Sequence, residues 1–456
     1  MEKGFKIGFY GGIGGPTGSH FLCSDEKEET KLLIDCGLTQ GGKFCDDVNR
    51  EKFPYDIKKI GHLVVTHAHI DHIGRIPKLV KDGFRGEIIS TAPTREIAEL
   101  MLSDSLGVLE KEASREGKPA IYEQKDVDEA IRLWKTVPYH EKIKIGNFSI
   151  ALFDAGHILG SAMIDISYEG KRLLFSGDLG NSPAPLLNDA ESIEGIYALV
   201  IESVYGDRIH EDRNERKDLL EDVIEDSVRR GGALMIPAFS LERTQELLSE
   251  INDLVEEGRV PSVPIFIDSP LAIDVTKIYK KYESFFNKNT KHKIKKGDDI
   301  FNFPNLHFTY KAEESKDIIK VQNPKIIIAG SGMSNGGRIV HHEKAYLPDP
   351  DSTLLIIGYQ VPGSLGRKLQ DGEKEVEIFG ERVPVKAQVR TIHGYSAHKD
   401  SDALLEFVAN AGDSLKFVYS VLGEPKARLY LVQRIRDYLG IKAFAPQDKE
   451  EITIPV

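Results

Sequence analysis

The alternation of apolar and polar positions divides the chain into two stretches with different predicted patterns of secondary structure. Up to about residue 205, short apolar runs end in polar or glycine-rich segments, which is typical of buried strands. These predicted strands lie at residues 5–10, 32–34, 63–65, 143–153, 172–175 and 198–201. Residues 94–140 carry charged side chains at helical spacing, so that segment is predicted to be helical.

From about residue 206 onwards, predicted strands and helices alternate. The apolar runs are 233–236, 265–267 and 325–329, with helical patterns from near Leu241 and over 272–279. A βαβα order predicts a second α/β domain with a parallel sheet. The basic run 291–296 is predicted to be a solvated loop, and a final helix over 427–438 is predicted to close the chain.

The composition is that of a large water-soluble protein. With 456 residues, 40% apolar and 29% charged, the chain can form about three domains of ~150 residues each. No apolar run is long enough for a membrane span, and the N-terminus lacks a signal-peptide pattern. The three cysteines, Cys23, Cys36 and Cys45, form no C-x-x-C pair, which favours a reducing cytoplasm.

The net charge of −12 argues against a general nucleic-acid binder. It does not exclude a nuclease, because a metal site carries its own positive charge and a basic groove can form locally on an acidic protein.

Candidate metal ligands cluster directly after the predicted strand 63–65. His67 and His69 are two positions apart and therefore point the same way in extended backbone. Asp71 and His72 follow where the chain is predicted to turn into a helix. Imidazole and carboxylate donors suit zinc. The alternative is a polar surface loop, but only 14 histidines occur in the chain, so chance explains the cluster poorly.

Three further polar residues follow predicted strands. His157, beside Gly156, is a candidate ligand, although a lone histidine is often structural. Asp178 is a candidate bridging carboxylate between two metals. Asp35 is either a carboxylate that orients metal ligands or an ordinary turn aspartate.

Two glycine-rich segments are candidate phosphate loops. The segment 11–19 lacks the Gly-Lys-Ser/Thr ending, so we predict a turn there. The segment 330–338 lies between a predicted strand and a predicted helix, where backbone N–H groups can hold a phosphate. The alternative is a flexible connector.

The string His-x-His-x-Asp-His, followed by His157 and Asp178, resembles the signature of the metallo-β-lactamase superfamily. Four further motifs are similar to those of its β-CASP nucleases, which process RNA or repair DNA. They are Glu202-Ser203-x-Tyr205-Gly206, Leu241-Glu242-Arg243-Thr244-Gln245, Ser331-Gly332-Met333 and Ser396-Ala397-His398. The resemblance covers nearly the whole chain and is to the compact prokaryotic form without a KH-like extension.

This resemblance implies an αββα metallo-β-lactamase sandwich with an inserted α/β β-CASP domain. The implied domains are 1–205, 206–388 and 389–456, with the last segment completing the lactamase-like domain. The family plan places the active site in a cleft between the two domains.

The resemblance also implies a role for each motif residue. One zinc takes His67, His69 and His157, and the other takes Asp71 and His72, with Asp178 bridging them. Catalysis is assigned to Asp71, Glu202 and His398, the last two handling protons and orienting the scissile phosphate. A substrate phosphate is expected at Ser331 and Gly332, helped by Arg243 or Arg338.

One departure concerns Leu422. RNA nucleases of the family usually have Val-His-Gly-Glu-Pro where this chain has Val-Leu-Gly-Glu-Pro, and DNA-acting relatives have an apolar residue there. Because leucine cannot bind zinc, we expect one tight metal site and a weaker second site.

The sequence therefore predicts a cytoplasmic zinc-dependent ribonuclease. The alternatives are a DNA nuclease and a non-catalytic scaffold subunit of an RNA-processing complex. No membrane partner is expected. The sequence decides neither between endo- and exonuclease nor between a monomer and a homodimer.

Overall fold

The computed structural model describes residues 4–41, 45–210 and 215–456. The strands are β1 (Gly4–Gly11), β2 (His20–Asp25), β3 (Lys31–Ile34), β4 (His62–Val64), β5 (Glu87–Ser90), β6 (Trp134–Thr136), β7 (Ile143–Ile145), β8 (Phe148–Asp154), β9 (Ala162–Tyr168), β10 (Lys171–Phe175), β11 (Ala198–Glu202), β12 (Ala233–Pro237), β13 (Ile265–Asp268), β14 (Leu306–Phe308), β15 (Lys325–Ala329), β16 (Thr353–Ile356), β17 (Glu375–Ile378), β18 (Glu381–Pro384), β19 (Gln388–Thr391), β20 (Phe417–Val421), β21 (Lys442–Phe444) and β22 (Glu451–Pro455).

The α-helices are α1 (Cys45–Arg50), α2 (Ile70–Ile73), α3 (Ile76–Lys81), α4 (Ala92–Glu116), α5 (Gln124–Arg132), α6 (Arg216–Arg230), α7 (Arg243–Glu256), α8 (Pro270–Lys281), α9 (Lys288–Lys295), α10 (Ala312–Asp317), α11 (Ile339–Tyr346), α12 (Leu365–Gln370), α13 (Ser401–Ala409) and α14 (Pro425–Arg434). Among the described ranges, no helix combines the length and apolar character that a membrane span requires.

The chain folds into two compact units. The first comprises Met1–Ala184, Asn188–Ile209 and Ala397–Val456. The second comprises Pro185–Leu187 and His210–Ser396. The sequence prediction placed these borders after residues 205 and 388.

Two seven-stranded sheets form the first unit. Their strand orders are β22-β1-β2-β3-β4-β5-β6 and β21-β20-β11-β10-β9-β8-β7. Phe5, Ile7 and Phe9 alternate along β1 and are fully buried, and they share one apolar core with Ile164 and Phe175 of the other sheet. The two sheets therefore pack face to face.

Helices cover the outer faces of this sandwich. On one side, Leu199 and Ile201 of β11 form a second core with Leu404 of α13 and Leu431 of α14. On the other side, α4 packs against β6 and α5. This is the expected αββα arrangement. The C-terminal residues contribute strands to both sheets, since β22 pairs with β1 and β20 pairs with β11.

The second unit is built on a parallel sheet of order β14-β13-β15-β12-β16-β19. Each neighbouring pair in this sheet is parallel. Its strands are buried, with Met235, Ile327 and Leu354 in one core. The predicted parallel α/β domain is confirmed. Strands that are buried on both faces read as continuous apolar runs, which is why the sequence revealed them.

Three local expectations were wrong. The run 291–296 lies mainly in α9, whose N-cap Asn287 accepts a hydrogen bond from the Thr290 N–H. The segment 94–140 contains β6 as well as helices, because Trp134 pairs with Ile88 of β5. The last helix does not close the chain, since β21 and β22 follow it. These strands pair with residues distant in sequence, so local periodicity could not reveal them.

Candidate metal centre

The histidine cluster lies where β4 ends at the edge of the first sheet. β4 is paired in parallel with β3 and β5, so its end and theirs lie together. The chain then carries His67 and His69, and His69, whose backbone is extended, is the N-cap residue of α2. Asp71 and His72 lie in the single turn of α2. A strand that leads into a short helix thus directs four polar side chains towards one region.

Four of the predicted ligands come together from three separate loops. The donor atoms of His67, His69, His157 and Asp178 all lie within 4.8 Å of one another. His69 Nδ1 lies 3.1 Å from His67 Nε2 and 3.2 Å from His157 Nε2. Asp178 Oδ2 lies 3.4 Å from His67 Nε2 and 3.5 Å from His157 Nε2. Three imidazoles and one carboxylate are a donor set that suits zinc.

Two glycines allow the ligand loops to approach this closely. A Cβ atom on Gly37 would stand 1.5 Å from the carbonyl oxygen of Asp71. A Cβ atom on Gly180 would stand 1.8 Å from the carbonyl oxygen of Gly156, next to His157. Any side chain at either position would push a ligand-bearing loop away from the cluster.

His72 faces the opposite oxygen of Asp178. His72 Nε2 lies 3.4 Å from Asp178 Oδ1 and 4.0 Å from Asp71 Oδ2. Within the described ranges, both His72 Nε2 and Asp178 Oδ1 are buried and make no hydrogen bond. Buried polar atoms are normally satisfied, so two facing unsatisfied atoms of this kind fit a bound cation. In the described part of the chain, neither Asp71 nor His72 joins a group of three donors within 4.8 Å.

Asp35 lies next to the candidate ligands and contacts the residues that hold them. Its Oδ2 lies 2.7 Å from His72 Nδ1 and accepts a hydrogen bond of 2.9 Å from the Ser19 hydroxyl. The Thr66 N–H donates to Asp35 Oδ1 over 2.8 Å, and Thr66 Oγ1 lies 3.0 Å from His67 Nδ1. Asp35 is therefore an orienting carboxylate rather than an ordinary turn residue.

Sequence reasoning missed Ser19 and Thr66, which complete this supporting network. One signal for Thr66 was available: it is the polar residue between the apolar run 63–65 and His67. Ser19 offered no comparable signal, because its partner Asp35 is 16 positions away.

Glu202 and His398 form a pair beside Asp178. Glu202 ends β11, and its Oε1 accepts a 2.6 Å hydrogen bond from the Leu179 N–H. His398 Nδ1 lies 3.3 Å from Glu202 Oε1 and 4.0 Å from Asp178 Oδ2. Asp178, Glu202 and His398 also form a group with donor atoms within 4.8 Å of one another, so this trio offers a second set of cation ligands.

The electrostatic surroundings set the charge of the imidazoles. Burial holds the pKa of His69 and His157 well below the usual range, and neutral imidazole is the form that binds metal. Burial also disfavours charge on His72, but the carboxylates of Asp178 and Asp35 outweigh it and hold the pKa of His72 well above the usual range.

The pKa values of Glu202 and His398 are linked by their contact. Burial raises the pKa of Glu202, an effect that His398 partly opposes. Burial lowers the pKa of His398, but the neighbouring Glu202 carboxylate outweighs burial and raises that pKa to about 9. The contact with Glu202 therefore favours the imidazolium form of His398.

Sequence comparisons match three successive segments of the chain. The profile described as "Metallo-beta-lactamase superfamily" matches residues 19–230, and "Beta-Casp domain" matches 244–369. A third, "Zn-dependent metallo-hydrolase RNA specificity domain", matches 382–446. Ribonuclease TTHA0252 of Thermus thermophilus is 35% identical over 86% of this chain and 88% of that protein. The chain belongs to the β-CASP family of the metallo-β-lactamase superfamily.

Other relatives also match over most of this chain. An RNase J-like protein of Methanocaldococcus jannaschii is 31% identical over 92% of this chain and 93% of that protein. The transcription termination factor FttA of Pyrococcus abyssi is 30% identical over 94% of this chain and 68% of its own length. The crystal structure of a protein of unknown function from Enterococcus faecalis has the same fold, with a TM-score of 0.60 and 12% identity over 99% of this chain and 100% of that chain.

Leu422, at which the sequence departs from the expected motif, is buried against the glycine-rich N-terminal loop. Its N–H donates to the Gly12 carbonyl over 2.6 Å, and its φ of 51° is in the left-handed region. Leu422 shares the wall of a small cavity with Asp35 and Thr66, the residues that support the ligands. Its side chain belongs to the apolar core between the sheets.

The residues predicted to bind a substrate phosphate lie in the second unit. Ser331 and Gly332 are in the loop between β15 and α11, as expected. The Arg338 guanidinium donates to Asp268 Oδ1 over 2.7 Å and also to two backbone carbonyls. The buried Arg243 pairs with Glu246 and donates to a backbone carbonyl over 2.9 Å. Both arginines are therefore already engaged with acidic side chains of their own unit.

Proposed function

We propose that this protein is a zinc-dependent phosphodiesterase that cleaves RNA. The observation that carries the proposal is the convergence of His67, His69, His157 and Asp178, whose donor atoms lie within 4.8 Å of one another. Such a site, drawn from three loops at a sheet edge, suits metal-assisted hydrolysis. The choice of RNA is supported by the names of the relatives, which include a ribonuclease and an RNase J-like protein.

The residues divide between a tight and a weaker site in this proposal. The tight site is His67, His69 and His157 with Asp178, a complete donor set for tetrahedral zinc. Asp71 and His72 share Asp178 in the weaker site, since Leu422 offers no donor. When bound, zinc stabilises negative charge that develops on a phosphate oxygen.

His398 and Glu202 handle the proton in the proposed reaction. The Glu202 carboxylate, itself fixed by the Leu179 N–H, holds the His398 ring through Nδ1. A protonated imidazole in this position can donate to the departing ribose oxygen when the phosphodiester bond breaks. Asp35 acts one step further away, because it fixes the ring of His72.

A substrate phosphate at Ser331 and Gly332, helped by the guanidinium group of Arg243 or Arg338, remains part of the proposal. We also propose a cytoplasmic location, where free thiols such as the buried Cys23 and Cys36 persist. DNA cleavage is the second candidate, and the observation that favours it is Leu422.

Cleavage of matched 5′-labelled RNA and DNA oligomers, with and without a chelator, tests the function. We expect RNA to be cut only in the presence of metal, with product ends that reveal endo- or exonuclease action. Asp71→Ala should abolish cleavage and reduce bound metal without unfolding the protein. Asp128→Ala, at an exposed position of α5, serves as the control. Unchanged cleavage in the chelator-treated or Asp71→Ala sample would overturn the proposal, and cleavage of DNA alone would favour the second candidate.

A further inference from the structure

The connections of the parallel sheet separate at the carboxyl ends of β12 and β15. These two strands are neighbours in the order β14-β13-β15-β12-β16-β19. From β12 the chain continues to β13, on the far side of β15. From β15 it continues to β16, on the far side of β12. Connections that leave neighbouring strands in opposite directions open a crevice, and ligands of α/β proteins bind at such crevices.

Phe239 lies in the segment that follows β12 at this crevice. Its side chain is 41% exposed, although Ala238 before it and Leu241 after it are buried. Within residues 4–41, 45–210 and 215–456, no aromatic ring packs against the ring of Phe239. A large apolar ring is thus presented to solvent where the fold favours ligand binding.

The ring of Phe239 is held in place by its surroundings. A Cβ atom on Gly332 would stand 2.7 Å from the ring, so the ring rests on the Gly332 backbone. Gln360 Nε2 donates to the carbonyls of Gly332 and Gly358 over 3.0 and 3.1 Å, which fixes this support. The Phe239 carbonyl accepts hydrogen bonds from the N–H and hydroxyl of Thr244, at 3.2 and 2.8 Å. An ordered ring loses little entropy when a ligand stacks on it.

The groups next to Phe239 are polar and small. The hydroxyls of Ser240 and Ser269 lie 3.1 Å apart and are half-exposed, and Gly330 adjoins both. A protein partner would require a broader apolar patch around the ring. One ring beside hydroxyl groups instead matches a nucleotide, whose aromatic base is attached to a polar sugar and phosphate.

We propose that Phe239 is a stacking platform for an unpaired base of the RNA substrate. This inference rests on the proposed function, because it assumes that the substrate is RNA. It assigns a binding contact to the second unit that is separate from the metal ligands. Aromatic side chains bind single-stranded RNA in this manner, with little dependence on the identity of the base.

The test is equilibrium binding of a fluorescently labelled oligoadenylate to the full chain in excess chelator, so that no cleavage intervenes. Phe239→Ala should weaken binding about tenfold, the effect expected when one stacked base is lost. Phe239→Trp should bind the oligomer as tightly as the wild type. Phe379→Ala is the matched control, because Phe379 is also exposed and lies in the same unit, between β17 and β18. An oligomer of equal length with abasic sites should bind the wild type and Phe239→Ala equally.

The experiment distinguishes a failure of the proposed function from a failure of the stacking platform. If the wild-type protein neither binds nor cleaves RNA, the proposed function fails. If the wild type binds and cleaves RNA but Phe239→Ala binds as tightly, the platform is overturned and the function stands. The platform would also be overturned if Phe239→Ala lost as much affinity for the abasic oligomer as for oligoadenylate, because that loss would not depend on a base. It would likewise be overturned if Phe379→Ala bound oligoadenylate as weakly as Phe239→Ala, because that loss would not depend on Phe239.

Discussion

His72 Nδ1 lies 2.7 Å from Asp35 Oδ2, and both side chains are buried. The contact orients the ring of His72, so that Nε2 faces Asp178 Oδ1 at 3.4 Å. Carboxylates that hold metal-binding histidines in this way orient the ring and increase its basicity. Because the Thr66 N–H donates to the same carboxylate, the partner of His72 is itself held by a hydrogen bond from the backbone of the first unit.

Asp35→Ala should therefore weaken metal binding about 10- to 100-fold, the usual effect of removing a partner of this kind. Competition with a coloured chelator measures the affinity. Asp165→Ala is the control, since Asp165 is a buried aspartate that pairs with Arg172 in the same unit. It should reduce stability without changing the affinity for metal. Equal metal affinity in Asp35→Ala and the wild type would contradict the orienting role.

His398→Ala should lower kcat about 10²-fold or more, because a general acid is lost, while the protein retains its bound zinc. Cleavage kinetics and metal analysis on the same sample give the two readouts. His393→Ala, an exposed histidine five positions earlier, is the control. Loss of metal in parallel with activity would show instead that Asp178, Glu202 and His398 hold an ion.

Leu422 should leave the second metal weakly bound. After dialysis we expect fewer than two equivalents of metal per chain, and activity that rises with added zinc or manganese. Leu422→His should retain more metal because imidazole is a zinc ligand, whereas Leu422→Met should behave like the wild type. Two tightly held metals in the unmodified protein, with no response to added metal, would disprove this expectation.

Glu343 should make the stability of the second unit depend on pH. Burial raises its pKa from 4.5 to about 7, despite a hydrogen bond from the Ser334 hydroxyl. Because the folded state retains a proton that the unfolded state releases, stability should fall as pH rises from about 4.5 to about 7, and then level off. The full difference corresponds to roughly 3 kcal/mol.

Thermal unfolding between pH 5 and pH 8 measures this effect. Glu343→Gln, which cannot ionise, should remove most of the slope. Glu377→Gln, at an exposed position of β17, should retain it. The same slope in Glu343→Gln and the wild type would assign the pH dependence to other groups.

The sequence by itself determined the family, the αββα sandwich and the parallel sheet of the second unit. The apolar runs of buried strands predicted the parallel sheet. The motifs that begin with His67, His69, Asp71 and His72 carried the resemblance that implied the family and the sandwich. His157 and Asp178 were found because each follows such a run. These signals lie within short segments of the chain. The fold then brings the segments together, because the ends of neighbouring strands meet at one edge of a sheet.

The partners of these residues were decided only by the tertiary structure. Asp35 contacts His72 across 37 positions, and Arg338 contacts Asp268 across 70. From the sequence, Arg338 was a candidate for a substrate phosphate, and nothing local showed that a buried carboxylate faces it. Likewise, β22 pairs with β1 from the opposite end of the chain. A side chain's neighbours depend on how distant segments pack, and the pattern along one segment does not contain that information.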